Sequence, residues 1–200
     1  LTLTLAAASH VLNSNYDVFG FLDGATLRVG TGPVWTSGTG RGTGAGTTEL
    51  AVLLGYQVNA VAITLTNGTT TYAVSQYRGT YLGTFRTGSA GQTEDSFANR
   101  YLWNYYNRMK RPMRVLEATA TWAYTLNTIR QARAQTTNQL NFCIGVAEDM
   151  VSAIVSASSA NATAGVDRQV GIGLDTTTTF TSGCLSQAAS GATNADVAHF

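Results

Sequence analysis

Two stretches of the chain alternate apolar residues with threonine on either side of an Asn-Gly pair. The stretches are 61–66 and 69–74, and Asn67-Gly68 lies between them. Alternation with a period of two is typical of half-buried strands, and Asn-Gly favours the two positive φ angles of a type I′ turn. The pattern therefore predicts a β-hairpin over residues 61–74.

A second hairpin is predicted around Asp23-Gly24, which lies between the mostly apolar runs 16–22 and 25–29. A further strand is predicted at 80–86. In the second half of the chain the alternating or apolar runs are 114–118, 119–125, 139–147, 150–157 and 167–174. Short strands at close intervals, separated by Gly, Asn and Asp, are typical of an antiparallel β-sandwich or jelly roll.

Composition supports this all-β interpretation. The chain has 200 residues, of which 44% are hydrophobic, so it can bury a substantial core. It is rich in threonine, has 21 Gly and contains a single lysine, and this combination argues against a helical bundle. The predicted fold class is all-β, an antiparallel β-sandwich or jelly-roll-like fold with an N-terminal layer of hairpins.

A glycine-rich stretch separates the two predicted hairpins. Residues 30–48 include a glycine at every second position from Gly38 to Gly46, and Trp35 is their large apolar side chain. Glycine carries no side chain to bury and has high backbone entropy, so the stretch is predicted to be a long flexible loop. Its spacing fits neither Gly-x-Gly-x-x-Gly nor a Gly-Lys-Ser/Thr phosphate loop.

The domain organisation is predicted from a polar, glycine-bearing break at residues 87–96. We expect an N-terminal hairpin layer at 1–93, which contains the glycine-rich loop 30–48, and a C-terminal β-sandwich domain at 94–200.

Charge argues against two classes of partner. Charged residues make up 12% of the chain and the net charge is +1, so no broad field of one sign attracts nucleic acid or an anionic membrane. The longest apolar runs, such as 51–54, have four or five residues, whereas a membrane-spanning helix needs about 20. Neither nucleic acid nor membrane is an expected partner.

The residues that usually carry catalysis or bind metals are sparse. His10 and His199 lie near opposite ends and are expected at the surface, and no Gly-x-Ser-x-Gly sequence is present. Cys143 and Cys184 are too widely spaced for a zinc knuckle or a redox pair. They are interpreted as structural thiols, with Cys143 buried, although a disulfide between them stays open.

The acid pairs Glu94-Asp95 and Glu148-Asp149 have no spacing typical of a metal site. The second pair lies between two apolar runs and is interpreted as a solvated turn. We therefore expect no catalytic residue, no metal and no cofactor, and a protein that is not an enzyme.

The segment with the most distinctive chemistry is 97–114, which we call the aromatic-basic segment. Its density of aromatic and arginine side chains is typical of protein interfaces, and aromatic content favours a strand that ends in a loop before Pro112. The candidate interface residues are Arg100, Tyr101, Trp103, Tyr105, Tyr106, Arg108, Lys110 and Arg111.

The same composition has other interpretations. The rings could belong to the core while the arginines pair with acids such as Glu117 or with carbonyl oxygens. Stacking rings and guanidinium groups could also bind a sugar ring or single-stranded nucleic acid.

Several stretches resemble structural proteins encoded by tailed bacteriophages and prophages. The resemblance is carried by 81–96, from Tyr81-Leu-Gly-Thr-Phe-Arg to Glu94-Asp95-Ser96, followed by 100–108 and 111–114. Further pieces are 16–19, 138–139 and 144–148. The glycine-rich stretch around 38–46 departs from the pattern, and members of the family continue past the position of Phe200.

The resemblance implies a virion component: a head decoration or cement protein, a head fibre or a tail-associated protein. Its expected partners are copies of itself, with a trimer favoured, and other virion proteins of the capsid or tail. The rival hypothesis is a glycan-binding, receptor-recognition module that contacts a host surface glycan. Its candidate sugar platforms are Trp35, Tyr77 and Tyr81.

Overall fold

The computed structural model describes residues 1–126, 128–147, 150–159, 168–188 and 194–199, with the side chains of 158, 159, 168, 186–188 and 194–199 excepted. The protein is nearly all-β, with 38% of residues in strands and 2% in helix. A large antiparallel sheet of nine strands dominates it, consistent with a β-sandwich. The predicted fold class is confirmed at this level, whereas the jelly-roll detail stays a prediction.

The chain divides into two compact units. The first comprises Leu1–Val115 and Gln139–Ala147, and the second comprises Leu116–Asn138 and Glu148–Phe200. The predicted boundary between residues 93 and 94 falls inside the first unit. The physical reason is that the chain returns after the polar break and adds a further strand to the sheet.

The first unit contains eleven strands of the part of the chain that the structure describes. They are β1 (Asn15–Asp23), β2 (Thr26–Val34), β3 (Leu50–Leu53), β4 (Tyr56–Asn59), β5 (Ile63–Asn67), β6 (Thr70–Val74), β7 (Gly79–Ser89), β8 (Gln92–Thr93), β9 (Asn99–Arg100), β10 (Leu102–Asn104) and β11 (Asn141–Phe142). The sheet order is β3-β4-β7-β1-β2-β5-β6, and β8 and β10 also pair with β7. A separate parallel pair joins β11 to β9.

Both hairpins predicted from turn residues are confirmed, but their turns are not type I′. Asn67 pairs with Thr70, so the two loop residues are Gly68 and Thr69, and only the glycine has positive φ. A glycine with positive φ at the first loop position is the type II′ pattern. The β1–β2 hairpin repeats it with Gly24. Asn67 is the last strand residue, and its side chain binds the backbone of residues 2, 4 and 29 instead.

The core of the first unit lies where the central strands meet. Its buried members are Phe19, Phe21, Ile63, Leu65, Val74 and Tyr81. A β-bulge shapes this core, because Val18 pairs with Gly83 whereas the next residue, Phe19, pairs with Tyr81. Leu82 is left without an opposite residue, and the alternation of β7 reverses there. Tyr81 and Thr84, three positions apart, can therefore lie on the same face.

The second unit contains one short 3-10 helix, η1 (Ala132–Ala134), and four strands within the described residues. The strands are β12 (Ile154–Ser159), β13 (Arg168–Gly171), β14 (Leu185–Ala188) and β15 (Asn194–His199). β12 pairs with β15 and β13 with β14, both antiparallel. The strands predicted at 114–118 and 119–125 are wrong, since these residues have no strand partner. Alternation does not make a strand unless another strand supplies ladder hydrogen bonds.

His10 is buried, so its predicted surface position is wrong. The side chain has no exposed area and packs edge-on against Tyr16, with ring centroids 5.1 Å apart. Nε2 lies 2.9 Å from the Thr31 hydroxyl, and Nδ1 lies 3.1 Å from both the N and O atoms of Ala6. Burial lowers the pKa of His10, partly offset by the Ala6 backbone. The folded state therefore favours the neutral imidazole.

This burial predicts a loss of stability in mild acid. Because the folded pKa lies below the ordinary value of about 6.5, the stabilisation is present above pH ~6.5 and is lost as pH falls through the folded pKa. Urea unfolding at about pH 7.5 and about pH 5.5 should show a lower free energy of unfolding at the lower pH. In His10→Gln the decrease should be smaller. An equal decrease in both proteins would show that His10 is not the titrating group.

Candidate functional site

A buried carboxylate, Asp17, receives hydrogen bonds from three side chains in other segments of the first unit. Arg41 donates to both oxygens, from Nε to Oδ2 at 2.6 Å and from Nη2 to Oδ1 at 3.0 Å. Thr48 donates to Oδ2 and Thr84 to Oδ1, each at 2.6 Å. The Asp17 side chain is fully buried and that of Arg41 is 17% exposed. A buried charge is tolerated when it is paired and saturated with donors, as here.

Arg41 also anchors the glycine-rich loop to the rest of the unit. Its Nη2 atom donates to the carbonyl oxygen of Gly145 and, at 3.2 Å, to the Tyr81 hydroxyl. Its guanidinium lies 4.3 Å from the ring centroid of Trp35, which is itself buried. Residues 30–34 of the predicted loop belong to β2. The remainder is a loop, as predicted, and the Arg41–Asp17 pair fixes it against the sheet.

The groups around Asp17 hold structure and are poorly suited to reaction. Burial raises the pKa of Tyr81, with a further contribution from Asp17. Burial likewise raises the pKa of the Cys143 thiol to about 12. Both groups therefore stay protonated near neutral pH, and a protonated thiol is a poor nucleophile. Cys143 is buried as predicted, and both cysteines are free thiols.

The rings of the aromatic-basic segment divide between core and surface. β10 pairs with β7, which places Trp103 and Tyr105 against Tyr81, at centroid distances of 6.2 and 5.6 Å. Tyr101 is half-buried. The interpretation of these rings as core is therefore correct in part. Tyr106 is 54% exposed, and Phe97, outside the candidate set, is 61% exposed.

The cations of this segment are mostly engaged locally. Arg100 and Arg111 both pair with Asp95, and each also donates to a backbone carbonyl, of Pro112 and Leu102 respectively. The sequence suggested Glu117 as the acid that pairs with these arginines, but Asp95 is the acid that does so. Glu117 lies in the second unit, where its carboxylate accepts hydrogen bonds from Asn138 and Arg133.

Two further candidate cations, Arg108 and Lys110, are exposed. Arg108 lies over two rings, 4.6 Å from the Tyr105 centroid and 5.4 Å from the Trp103 centroid. Together with Tyr106 and Met109, which is 70% exposed, the two cations form a surface of apolar and cationic side chains. Such a mixture is typical of protein interfaces.

A second exposed apolar feature, the β3–β4 hairpin, was missed by sequence reasoning. Val52, Leu54 and Tyr56 are 67%, 90% and 57% exposed. Burial raises the pKa of Tyr106, with smaller contributions from Tyr105 and from Tyr56 of this hairpin. We call the exposed side chains Val52, Leu54 and Tyr56 the hairpin patch. Val52 and Tyr56 lie on opposite faces of the hairpin, because Tyr56 pairs with Leu53. The sequence does contain a signal for the hairpin, because the uncharged run 50–54 ends at Gly55. Whether the run is exposed depends on β3 being an edge strand, which the sequence does not show.

The candidate sugar platforms are mostly inaccessible. Tyr81 has no exposed area and Trp35 is 8% exposed, so neither ring offers a face to a sugar, which corrects that part of the glycan hypothesis. Both are covered because Arg41 and the core pack against them. Tyr77, 44% exposed, is the remaining candidate.

The described residues contain no group of three or more His, Cys, Asp or Glu side chains that could hold a metal ion. Glu94 binds Ser96 and Asn99, which lowers the pKa of its carboxyl group. The pair Glu148-Asp149 lies outside the described residues, as does the side chain of His199. No helix in the described part of the chain is long and apolar enough to cross a membrane.

Comparison with known proteins found no match: no family model, no curated protein and no solved structure is similar to this chain. The site is therefore interpreted from its own geometry, which combines a saturated buried polar cluster with an exposed apolar patch.

Proposed function

We propose that this chain is a non-enzymatic structural component of a tailed-phage virion. It would act as a head decoration or cement protein, a head fibre or a tail-associated protein, by assembling with its own copies and with other virion proteins. The family resemblance over residues 81–114 motivates the phage assignment. The all-β fold and the buried, unreactive groups around Asp17 are compatible with a role that depends on contacts.

The observation that carries the proposal is the hairpin patch. Exposed apolar side chains that are concentrated on one hairpin of a folded domain are typical of interaction sites. The aromatic-basic segment adds the exposed side chains of Arg108 and Lys110. Aromatic and arginine side chains are the residues that contribute most to binding at protein interfaces. The patch therefore supports a protein that works within an assembly.

Electron microscopy and mass spectrometry of purified particles from the phage or prophage that encodes this chain would test the proposal. We expect many copies of the protein on the particle, and light scattering of the purified protein should show an oligomer. A trimer would support a fibre or a threefold site on the shell. A protein that is monomeric and absent from particles would contradict the proposal.

The double substitution Phe97→Ser with Tyr106→Ser should weaken assembly without unfolding the protein. Each ring is more than half exposed, so the folded unit should lose only the contact of Tyr106 with Tyr105 and that of Phe97 with Arg100, about 1–2 kcal/mol together. Removal of two aromatic contacts should lower the affinity between copies, or between protein and particle, by about 30-fold or more. Sedimentation of the mixture with stripped particles measures this affinity.

Tyr77→Ser is the matched control, because Tyr77 is also exposed but lies outside the aromatic-basic segment. Its assembly should equal that of the wild type. If the double variant binds as tightly as this control, the segment is not an assembly surface.

A further inference from the structure

The free edge of β3 lacks the usual protection of edge strands. β3 ends the sheet and pairs only with β4 on its inner side. Within the described residues, no backbone hydrogen bond reaches its outer edge. Residues 50–59, which form the whole hairpin, contain no charged residue and no proline. Natural proteins usually place charges, proline or a bulge on such an edge to prevent pairing with other chains.

The turn of this hairpin is also unfavourable for an isolated molecule. Leu54 and Gly55 both have positive φ, at 50° and 84°, which is the type I′ pattern. Asn, Asp or Gly normally occupies the first loop position, because a side chain such as leucine is strained there. Leu54 is also 90% exposed. The described residues therefore bury little of this side chain, which points to a contact outside the folded unit.

The register shows which backbone groups face outward. Ala60 N donates to Glu49 O across the hairpin, so Glu49 forms a hydrogen-bonded pair with Ala60. Hydrogen-bonded and non-bonded pairs alternate along an antiparallel ladder. Ala51 and Leu53 therefore bond to β4, whereas Leu50 and Val52 present their N–H and C=O groups at the free edge.

We infer that β3 pairs antiparallel with β3 of a second copy of this chain, about a twofold axis that passes between the two Val52 residues. The inference deepens the proposed assembly function and rests on it. In this register the two Val52 residues exchange N–H···O=C bonds, Ala51 lies opposite Leu53, and Leu50 lies opposite Leu54. The exposed side chains of Val52 and Leu54 then each gain an apolar neighbour across the strand pair.

A second copy fits this edge better in that register than in the neighbouring one. Pairing centred on Ala51 would set Glu49 opposite Leu53 and place a carboxylate beside apolar side chains. The Glu49 carboxylate is already engaged by Gly44 N, at 2.7 Å. Centred on Val52, the contact pairs the uncharged residues 50–54 with one another and sets Glu49 opposite Gly55, so no two charged residues lie opposite each other. A twofold contact also closes on itself and does not extend into a fibre.

Charge substitutions at Val52 test the pairing directly, because the residue lies opposite itself only in this arrangement. Val52→Lys and Val52→Glu should each halve the mass of the wild-type assembly in light scattering. An equimolar mixture of the two variants should restore the wild-type mass. Leu27→Lys, at a similarly exposed position on β2, is the control and should leave the mass unchanged.

Leu54→Asn provides a second test that does not depend on added charge. It gives the turn a preferred residue, so the melting temperature of the folded unit should rise while the affinity between copies falls. Far-UV circular dichroism confirms that each variant is folded. A fall in both quantities would show that Leu54 stabilises the unit itself, and would count against the inference.

Several outcomes would overturn the pairing. They are an odd number of copies in the wild-type assembly, an unchanged mass for Val52→Lys, or a mixture that does not regain mass. A wild-type protein that is monomeric alone, but loses particle binding in Val52→Lys, would assign the edge to another virion protein. A trimer present on particles would overturn the pairing and leave the virion function intact. A β3-paired dimer that is absent from particles would support the pairing and contradict the virion function.

Discussion

Arg41→Ala is expected to destabilise the first unit by about 3–5 kcal/mol, since it leaves the buried carboxylate of Asp17 without its cation. The substitution also removes the donors to Gly145 and Tyr81 and the guanidinium that covers Trp35. The stability of Arg41→Lys should lie between those of the wild type and Arg41→Ala. Its ammonium group keeps the positive charge but cannot make the bidentate contact.

The measurement is urea unfolding followed by tryptophan fluorescence, together with amide hydrogen exchange over residues 36–48. Exchange there should become faster in Arg41→Ala, because the loop loses its anchor. Arg28→Ala is the matched control. Arg28 pairs with Asp23 at the same distance of 2.6 Å, but the two side chains are 40% and 46% exposed. An exposed pair contributes about 0–1 kcal/mol.

Equal stability losses in Arg41→Ala and Arg28→Ala would contradict the role assigned to the buried pair. The double variant Arg41→Met with Asp17→Asn extends the test. It should lose less stability than the two single variants together, because no unpaired charge is left in the interior.

Gly83→Ala is expected to separate β10 from β7, at a cost of about 2–5 kcal/mol for overpacking and lost ring contacts. A Cβ atom at Gly83 would collide with the backbone carbonyl of Trp103 and lie 3.2 Å from Cα of Asn104. Both obstacles are backbone atoms of β10, so a change of rotamer cannot relieve the clash. Trp103 and Tyr105 would then move away from Tyr81.

Gly38→Ala is the control for this prediction. A Cβ atom at Gly38 meets no atom within 4 Å, and its φ is not positive. Its effect should stay within about 1 kcal/mol in either direction. Thermal unfolding and the emission maximum of the tryptophans report both variants. A Gly83→Ala protein as stable as Gly38→Ala would mean that β10 does not pack on β7 as described.

Local signals were sufficient for the hairpins. The Asn67-Gly68 and Asp23-Gly24 pairs located two turns correctly, because a two-residue loop depends on the residues in it. The turn type was nevertheless wrong, because the strand register places Gly68 and Gly24 at the first loop position and not at the second. Alternation alone was insufficient at 114–125, where no strand forms, because a pattern in one segment does not show whether a second segment lies beside it.

The candidate site was only partly predictable for the same reason. The aromatic-basic segment was identified from its composition, but Trp103 and Tyr105 turn toward the core while Tyr106 stays at the surface. Asp17 and Arg41 had no detectable relationship in the sequence. Their pairing depends on a loop that folds back across β1, which no local pattern encodes.

The all-β class, the position of two turns, the burial of Cys143 and the segment densest in aromatic and arginine side chains could all be predicted from the amino-acid sequence. These follow from backbone preferences and hydrophobicity, which act over a few residues. The tertiary structure alone decided that β3 lies at an edge, that Trp35, Tyr81 and His10 are inside, and that one arginine fixes the glycine-rich loop. Edge position, burial and ion pairing depend on which distant segments meet, and that depends on the packing of the whole unit.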